Sequence, residues 1–136
     1  MKRQPAWLAA WSPSMLSLFR AMTALLFLEH GTAKIFGFPH VAMFDGLSLV
    51  SLLGLTGAIE IAGSALLLLG IFTRPVAFLL SGEMAVAYFM DHAPSSFYPL
   101  LNDGEPAVFY CFAFLYLSVA GGGALSLDAW RRRKFP

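Results

Sequence analysis

The stretch Leu47–Phe72, LSLVSLLGLTGAIEIAGSALLLLGIF, holds 26 residues and a single charge, Glu60. As an α-helix, at about 1.5 Å per residue, it is longer than the roughly 30 Å of hydrocarbon in a bilayer. Reading it as a membrane span decides the class of the whole chain, and the composition agrees. With 58% hydrophobic and 12% charged residues and a mean hydropathy of +0.70, 136 residues carry too little polar surface for an ordinary soluble domain. Three more apolar stretches, at about 15–37, 75–90 and 106–125, complete four spans and use nearly all of the chain. Backbone N–H and C=O groups in hydrocarbon must be paired within their own segment, and no period-2 alternation suggests a barrel. The expected fold is all-α: a single domain over residues 1–136, an integral membrane four-helix bundle with a partly ordered outer loop between helices 3 and 4.

Helix boundaries follow from proline and glycine. Pro13, Pro75 and Pro106 are expected in first turns, where a missing N–H removes no hydrogen bond. Gly121, Gly122 and Gly123 are expected to loosen the last helix near its exit. The apolar part before Pro13 is short and no small-residue cleavage site follows it, so the first helix is expected to be retained.

Four spans place both termini and the loop near Arg74 on one face. That face collects Lys2, Arg3, Arg74, Arg131, Arg132, Arg133 and Lys134, against Lys34 alone on the other. Both termini are therefore expected to be cytoplasmic, in a cell (inner) membrane, with Trp7, Trp11 and Trp130 as interfacial anchors. The terminal WRRRKFP reads as a determinant of topology and anionic-lipid contact, not as a nucleic-acid site.

The remaining charges are the unusual ones. Arg20, Glu29, His30 and Lys34 fall in the first span, Glu60 in the second and Glu83 in the third. An ionised side chain at the bilayer centre costs about 2.5–3.5 kcal/mol even on lenient scales, so three such carboxylates imply pairing, protonation or use. At about 100° per residue, Arg20, His30 and Lys34 share a sector while Glu29 faces away from Arg20. Partners must come from other helices, and Glu60, Glu83 and Glu105 are the candidates. Gly57, Gly63 and Ser64 flank Glu60 on one stripe, which allows close helix contact there and turns Glu60 toward protein. Arg20 and Arg74 are expected in structural ion pairs. The loop from Met90 to Glu105 is too broken by Pro94, Pro99 and Gly104 for a continuous helix, and too rich in Phe97, Tyr98, Leu100 and Leu101 for a free loop. It reads either as a lid or as an interfacial reef of aromatics.

FLEHGTAKIFGFP (27–39), GAIEIAGSALLLLGIFTRPVAFLLSGEMAVAYFMDHAP (57–94) and YPLLNDGEPAVFYCFAFLYLSVAGGGALSLD (98–128) together resemble the DoxX family of small four-helix membrane proteins. The resemblance spans about Leu18 to Asp128. It places Glu29, His30, Lys34, Glu60, Arg74, Glu83, His92, Asn102 and Glu105 on motif positions without giving them roles, and Pro106 after Glu105 departs slightly from the usual pattern. Some relatives are membrane subunits of thiosulfate:quinone oxidoreductase, which implies a redox setting.

The residues limit what that setting can be. The one cysteine, Cys111, excludes a disulfide or dithiol within the chain, and no CxxC, CxxCH or glycine-rich dinucleotide fingerprint is present. No covalently bound cofactor is expected, and catalysis by the chain alone is not expected. The leading expectation is a quinone or similar small molecule in an outward-facing polar pocket. Glu29, His30, Lys34, Glu60, Glu83, His92, Asn102 and Glu105 are the candidate ligand-binding residues, with no metal site. Alternatives are a non-catalytic anchor or assembly subunit for a soluble or membrane redox partner, and a small-solute or proton transporter. A homo-oligomer is compatible with each.

Overall fold

A computed structural model describes residues 5–135. Five α-helices follow one another: α1 Ala6–Phe36, α2 Leu52–Leu69, α3 Thr73–Ala87, α4 Glu105–Ala120 and α5 Leu127–Lys134. No strand occurs among the described residues. By length and composition α1 and α2 can each cross a membrane. Packing runs α1 on α2, α2 on α3 and α3 on α4, with α4 touching α1. Ala24, Phe27, Leu67, Ala77, Leu80, Met84, Phe114 and Leu117 meet in the centre, so each of these four helices contributes to one core.

Two ends can be distinguished. The turn end holds the α2–α3 connection, the α4–α5 linker and α5. The loop end holds residues 37–51, with a 3₁₀ turn at Ala42–Phe44, and residues 88–104, with a π turn at Tyr88–His92 and a 3₁₀ turn at Pro99–Leu101.

Several boundaries differ from the expected ones for local reasons. The first helix starts at Ala6, not near Met15, and runs through Pro13. The carbonyl of Pro13 accepts the Ala124 N–H at 3.1 Å and the Ser17 hydroxyl at 3.1 Å, which ties this turn to the α4–α5 linker. Because Arg20 meets the last turn of α2, the 14 residues Ala6–Phe19 carry α1 roughly 21 Å past that level. The second helix starts at Leu52 and not at Leu47. Ser51 caps it through its hydroxyl, which accepts the Gly54 N–H at 3.1 Å, and a Cβ on Gly54 would collide with the Ser48 carbonyl. Pro75 and Pro106 do sit in first turns. The fourth helix stops at Ala120, where Gly121 takes over with positive φ. Beyond it, Ser126 caps a further helix, α5, that the sequence reading did not separate from the exit of the fourth span. Lys2 and Arg3 lie outside the described residues.

Candidate functional site

At the loop end, Lys34 of α1 reaches Glu60 of α2. Nζ stands 2.6 Å from Glu60 Oε1, with the two side chains 10% and 1% exposed. It also donates to the Thr56 hydroxyl at 3.1 Å, which in turn donates to the Leu53 carbonyl at 2.8 Å. Glycines bring the two helices close enough for this. A Cβ on Gly31 would lie 2.8 Å from the Gly57 carbonyl, and one on Gly57 would lie 3.0 Å from Lys34 Cβ. One turn further, Gly63 takes the Leu80 side chain of α3 at a comparable approach. Glu60 therefore sits where α2 is pressed by α1 on one side and α3 on the other, as its flanking small residues lead one to expect.

The pair is not self-sufficient. Glu60 Oε2 is buried with no hydrogen-bond partner, and so are both carboxylate oxygens of half-buried Glu83 on α3. Ser64, one helical turn from Glu60 and fully buried, has an unpartnered hydroxyl as well. Buried polar atoms are ordinarily paired, so three unmet carboxylate oxygens on α2 and α3 are unusual.

The other predicted site residues lie elsewhere. His30 is exposed; its ring packs edge-on to Tyr110 at 5.5 Å and tilts against Phe27 at 6.1 Å, on the α1–α4 side. Glu29 and Glu105 are exposed. His92 and Asn102 join each other: His92 Nδ1 lies 2.9 Å from the Asn102 carbonyl. The Asn102 side chain donates to the Ser96 carbonyl at 2.6 Å and accepts the Gly104 N–H at 2.8 Å, while the Tyr88 hydroxyl donates to the Phe97 carbonyl. These contacts brace the 88–104 loop from inside. Phe97, Tyr98, Leu100 and Leu101 all point outward, as in the aromatic reef.

Arg20 and Arg74 meet no carboxylate: among the described residues the ion pairs are Lys34–Glu60 and the exposed His40–Asp45. Arg20 is 2% exposed and spends its guanidinium on backbone carbonyls. Nε donates to Gly122 at 2.9 Å, Nη2 to Leu125 at 2.7 Å, and Nη1 to Leu68 at 2.9 Å and to Leu67. Ser17 reinforces the same joint, accepting the Leu125 N–H at 2.9 Å. Arg74 is exposed, over Gly121, beside a cavity of about 210 Å³ that also takes in Asp128 and Arg132. Asp128 of α5 closes the start of α3, accepting the Phe72 N–H at 3.0 Å and the Thr73 N–H at 2.8 Å, with Phe72 in the left-handed region at φ 50°. Burial alone would raise the Asp128 carboxyl. The hydrogen bonds from Thr73 and Phe72, with the Arg132 guanidinium nearby, outweigh it and hold the group below its ordinary value.

Thr56, Ser64 and Asp128 are among the polar residues that sequence reasoning did not single out for roles. Ser64 stood on the small-residue stripe of Glu60, and Thr56 one turn before it, so helical spacing was the available signal. Nothing local marked Asp128 as a cap for a helix that begins more than fifty residues earlier. Among the described residues no three His, Cys, Asp or Glu side chains converge on a point where a metal could bind.

Comparison with known proteins assigns the chain. It is 44% identical over 126 residues to an uncharacterized protein of Haemophilus influenzae, covering 89% of this chain and 93% of that one. It is 31% identical over 131 residues to a protein of Escherichia coli named inner membrane protein YphA, covering 85% and 89%. No solved structure matches. The DoxX family model matches residues 15–93, which include α2, α3, Lys34, Glu60 and Glu83. This chain belongs to the DoxX family.

Proposed function

We propose that the chain is an inner-membrane four-helix bundle, α1 to α4 each crossing once with both termini cytoplasmic, that binds a small polar head group at Lys34, Glu60 and Glu83. The observation that carries the reading is the set of buried carboxylate oxygens without a donor: Glu60 Oε2 and both oxygens of Glu83. A purely structural ion pair has no need of spare buried carboxylate oxygens, and leaving such groups unmet costs about 1–3 kcal/mol each. A ligand offering hydrogen bonds recovers that cost. Cytoplasmic termini are supported by the cationic residues of α5 and by Arg74 at the turn end.

A quinone head group suits this donor and acceptor set. Two of the three Lys34 N–H groups are engaged by Glu60 and Thr56, which leaves one for a ring carbonyl, and the unpartnered carboxylates can receive the hydroxyls of the reduced form of the ring. When bound, a quinone supplies two-electron, two-proton redox chemistry. The chain's part is to hold the head group and to carry protons at Glu60 and Glu83. Electrons come from a redox partner. As a bare anchor for such a partner, the chain would leave the unmet oxygens without a role.

The test is direct binding of short-tailed ubiquinone and menaquinone analogues to the protein in lipid nanodiscs. Saturable binding is expected, weakened tenfold or more by the charge-removing pair Lys34→Met/Glu60→Gln. Absence of saturable binding to the unaltered protein rejects the reading. Reporter fusions at both termini check their side.

A further inference from the structure

We infer that Arg74 and Arg132 hold the phosphate group of an anionic lipid in the cavity between the start of α3 and α5, so that one headgroup bridges the bundle to its C-terminal helix. The site lies at the turn end, away from Lys34 and Glu60, and it stands whatever those residues bind. Its one premise from the reading above is that the turn end meets a membrane surface.

The fold brings cations together here. Arg74 and the run Arg131, Arg132, Arg133 and Lys134 all belong to this end, and Asp128 is the one acid in the α2–α3 turn, the α4–α5 linker and α5. Three of the five cations are placed apart from the cavity or on an aromatic ring. Arg131 stands over the Phe72 ring at 5.9 Å, and Lys134 over Trp130 at 4.9 Å. Arg133 lines a different groove, with Leu127 and Trp130. Arg74 and Arg132 share the cavity of about 210 Å³, which runs between the first turn of α3 and the Gly121–Gly122 linker. Among the described residues neither of them makes an ion pair. Two guanidiniums on one cavity repel each other unless an anion lies with them.

Asp128 also lines the cavity but does not fill that role. Its Oδ1 accepts the Phe72 N–H at 3.0 Å and its Oδ2 the Thr73 N–H at 2.8 Å, so both oxygens are committed to the start of α3. No nitrogen of Arg74 or Arg132 comes within ion-pair distance of it. The two N–H groups are used up by the same contacts, which leaves the guanidiniums as the charged donors of the site. Gly121 gives Arg74 its place: a Cβ there would stand 3.4 Å from Nε and 3.6 Å from Nη2, so the bare linker lets the guanidinium lie against main chain. Each guanidinium offers paired N–H groups in a planar fork, which matches two oxygens of one phosphate. A water's share of liquid is about 30 Å³, so the cavity has room for a phosphate group and a few waters.

The surroundings identify the source of the phosphate. Leu69, Phe72, Leu125 and Trp130 are exposed around this end. Apolar and aromatic side chains of this kind sit at the boundary between acyl chains and headgroups, which puts the two guanidiniums at the depth of lipid phosphates. A lipid phosphodiester enters such a site with its chains already in contact with these side chains; a free phosphate ion gains only the two guanidiniums.

The experiment is a lipid titration of the full chain in neutral detergent, with retained lipid counted by native mass spectrometry. One phosphatidylglycerol per chain is expected to bind about tenfold tighter than phosphatidylcholine. Arg74→Gln/Arg132→Gln should abolish that preference, whereas Arg131→Gln/Arg133→Gln, which removes the same charge from the same end, should retain most of it. Arg74→Lys/Arg132→Lys keeps the charge without the forks and should fall between. All four arginines are exposed, and the single variants Arg74→Gln and Arg132→Gln keep the comparison decisive if a pair fails to assemble. Equal losses in the two Gln pairs overturn the inference in favour of diffuse attraction by the cationic end, and so does the absence of any preference in the unaltered protein. Inorganic phosphate, set against chloride at equal ionic strength, should leave the lipid bound; displacement would make the ligand a free ion and overturn the lipid assignment.

Discussion

Arg20 and Glu60 are both charged and both almost wholly buried, at 2% and 1% exposure, yet their surroundings differ in kind. Arg20 finds carbonyls from two segments far apart in sequence, Leu67 and Leu68 at the end of α2 and Gly122 and Leu125 in the α4–α5 linker, and uses every nitrogen of its guanidinium. Glu60 finds one lysine and stops, with an oxygen to spare. A buried charge that is fully met holds a structure together; one that is half met is available to something else. The two regions thus separate the roles of glue and of site, which charge counting along the sequence could not do.

That comparison can be broken at several points, beginning where the effect is largest. Arg20→Met strips donors from the carbonyls of Gly122, Leu67, Leu68 and Leu125, and it should destabilise the folded protein by about 3 kcal/mol or more, read from detergent unfolding curves. Arg20→Lys should recover only part of this, since an ammonium cannot reproduce the planar fork. Full stability in Arg20→Met would show that the joint is not glue.

Next comes Gly31→Val. Its side chain would collide with the Gly57 carbonyl and Ile61, prising α1 from α2 at a cost of about 1–3 kcal/mol and loosening the Lys34–Glu60 pair. Ligand binding should fall along with stability, whereas a fall in stability alone would detach the site from the glycine contact.

Asp128→Asn keeps the shape of the α3 cap but removes its charge, and should cost about 1 kcal/mol. Because the Asp128 carboxyl is held below its ordinary value of 3.8, its contribution is full above that pH and is lost as the pH falls through the depressed folded value. The Asn variant should therefore lose stability less steeply than the parent in that acid range. Parallel pH curves would remove Asp128 from the account.

The smallest effect is expected where the charge is least met. Glu83→Gln should leave stability within about 0.5 kcal/mol, or raise it, because a neutral amide replaces a buried group that has no partner. A large loss of stability would move Glu83 from the site to the glue.

How much of this was legible in the sequence depended on whether the partner was near in helical spacing. The packing of Glu60 followed from Gly57 and Gly63 on its own helix, one turn away on either side. Lys34 was one of three named cations for it, and only the α1–α2 register chose among them. Arg20 was opaque because its partners are main-chain carbonyls, which every residue has and no side chain announces. His92 and Asn102 were picked out as polar groups worth holding, and they do hold something: the loop they belong to. The passage of α1 through Pro13 was missed for a related reason. Proline removes only its own donor, and the Pro13 carbonyl then serves a distant strand of chain at Ala124.

The Arg20 joint also bears on traffic. Between it and Glu60 lie Phe27, Leu67, Leu80, Phe114 and Leu117, each at most 1% exposed. A solute or proton entering beside Glu83 would meet this apolar plug first and, beyond it, a knot of main chain cinched around one guanidinium. Movement of a solute or proton between the two charged sites would therefore require displacing side chains packed in the middle of the core.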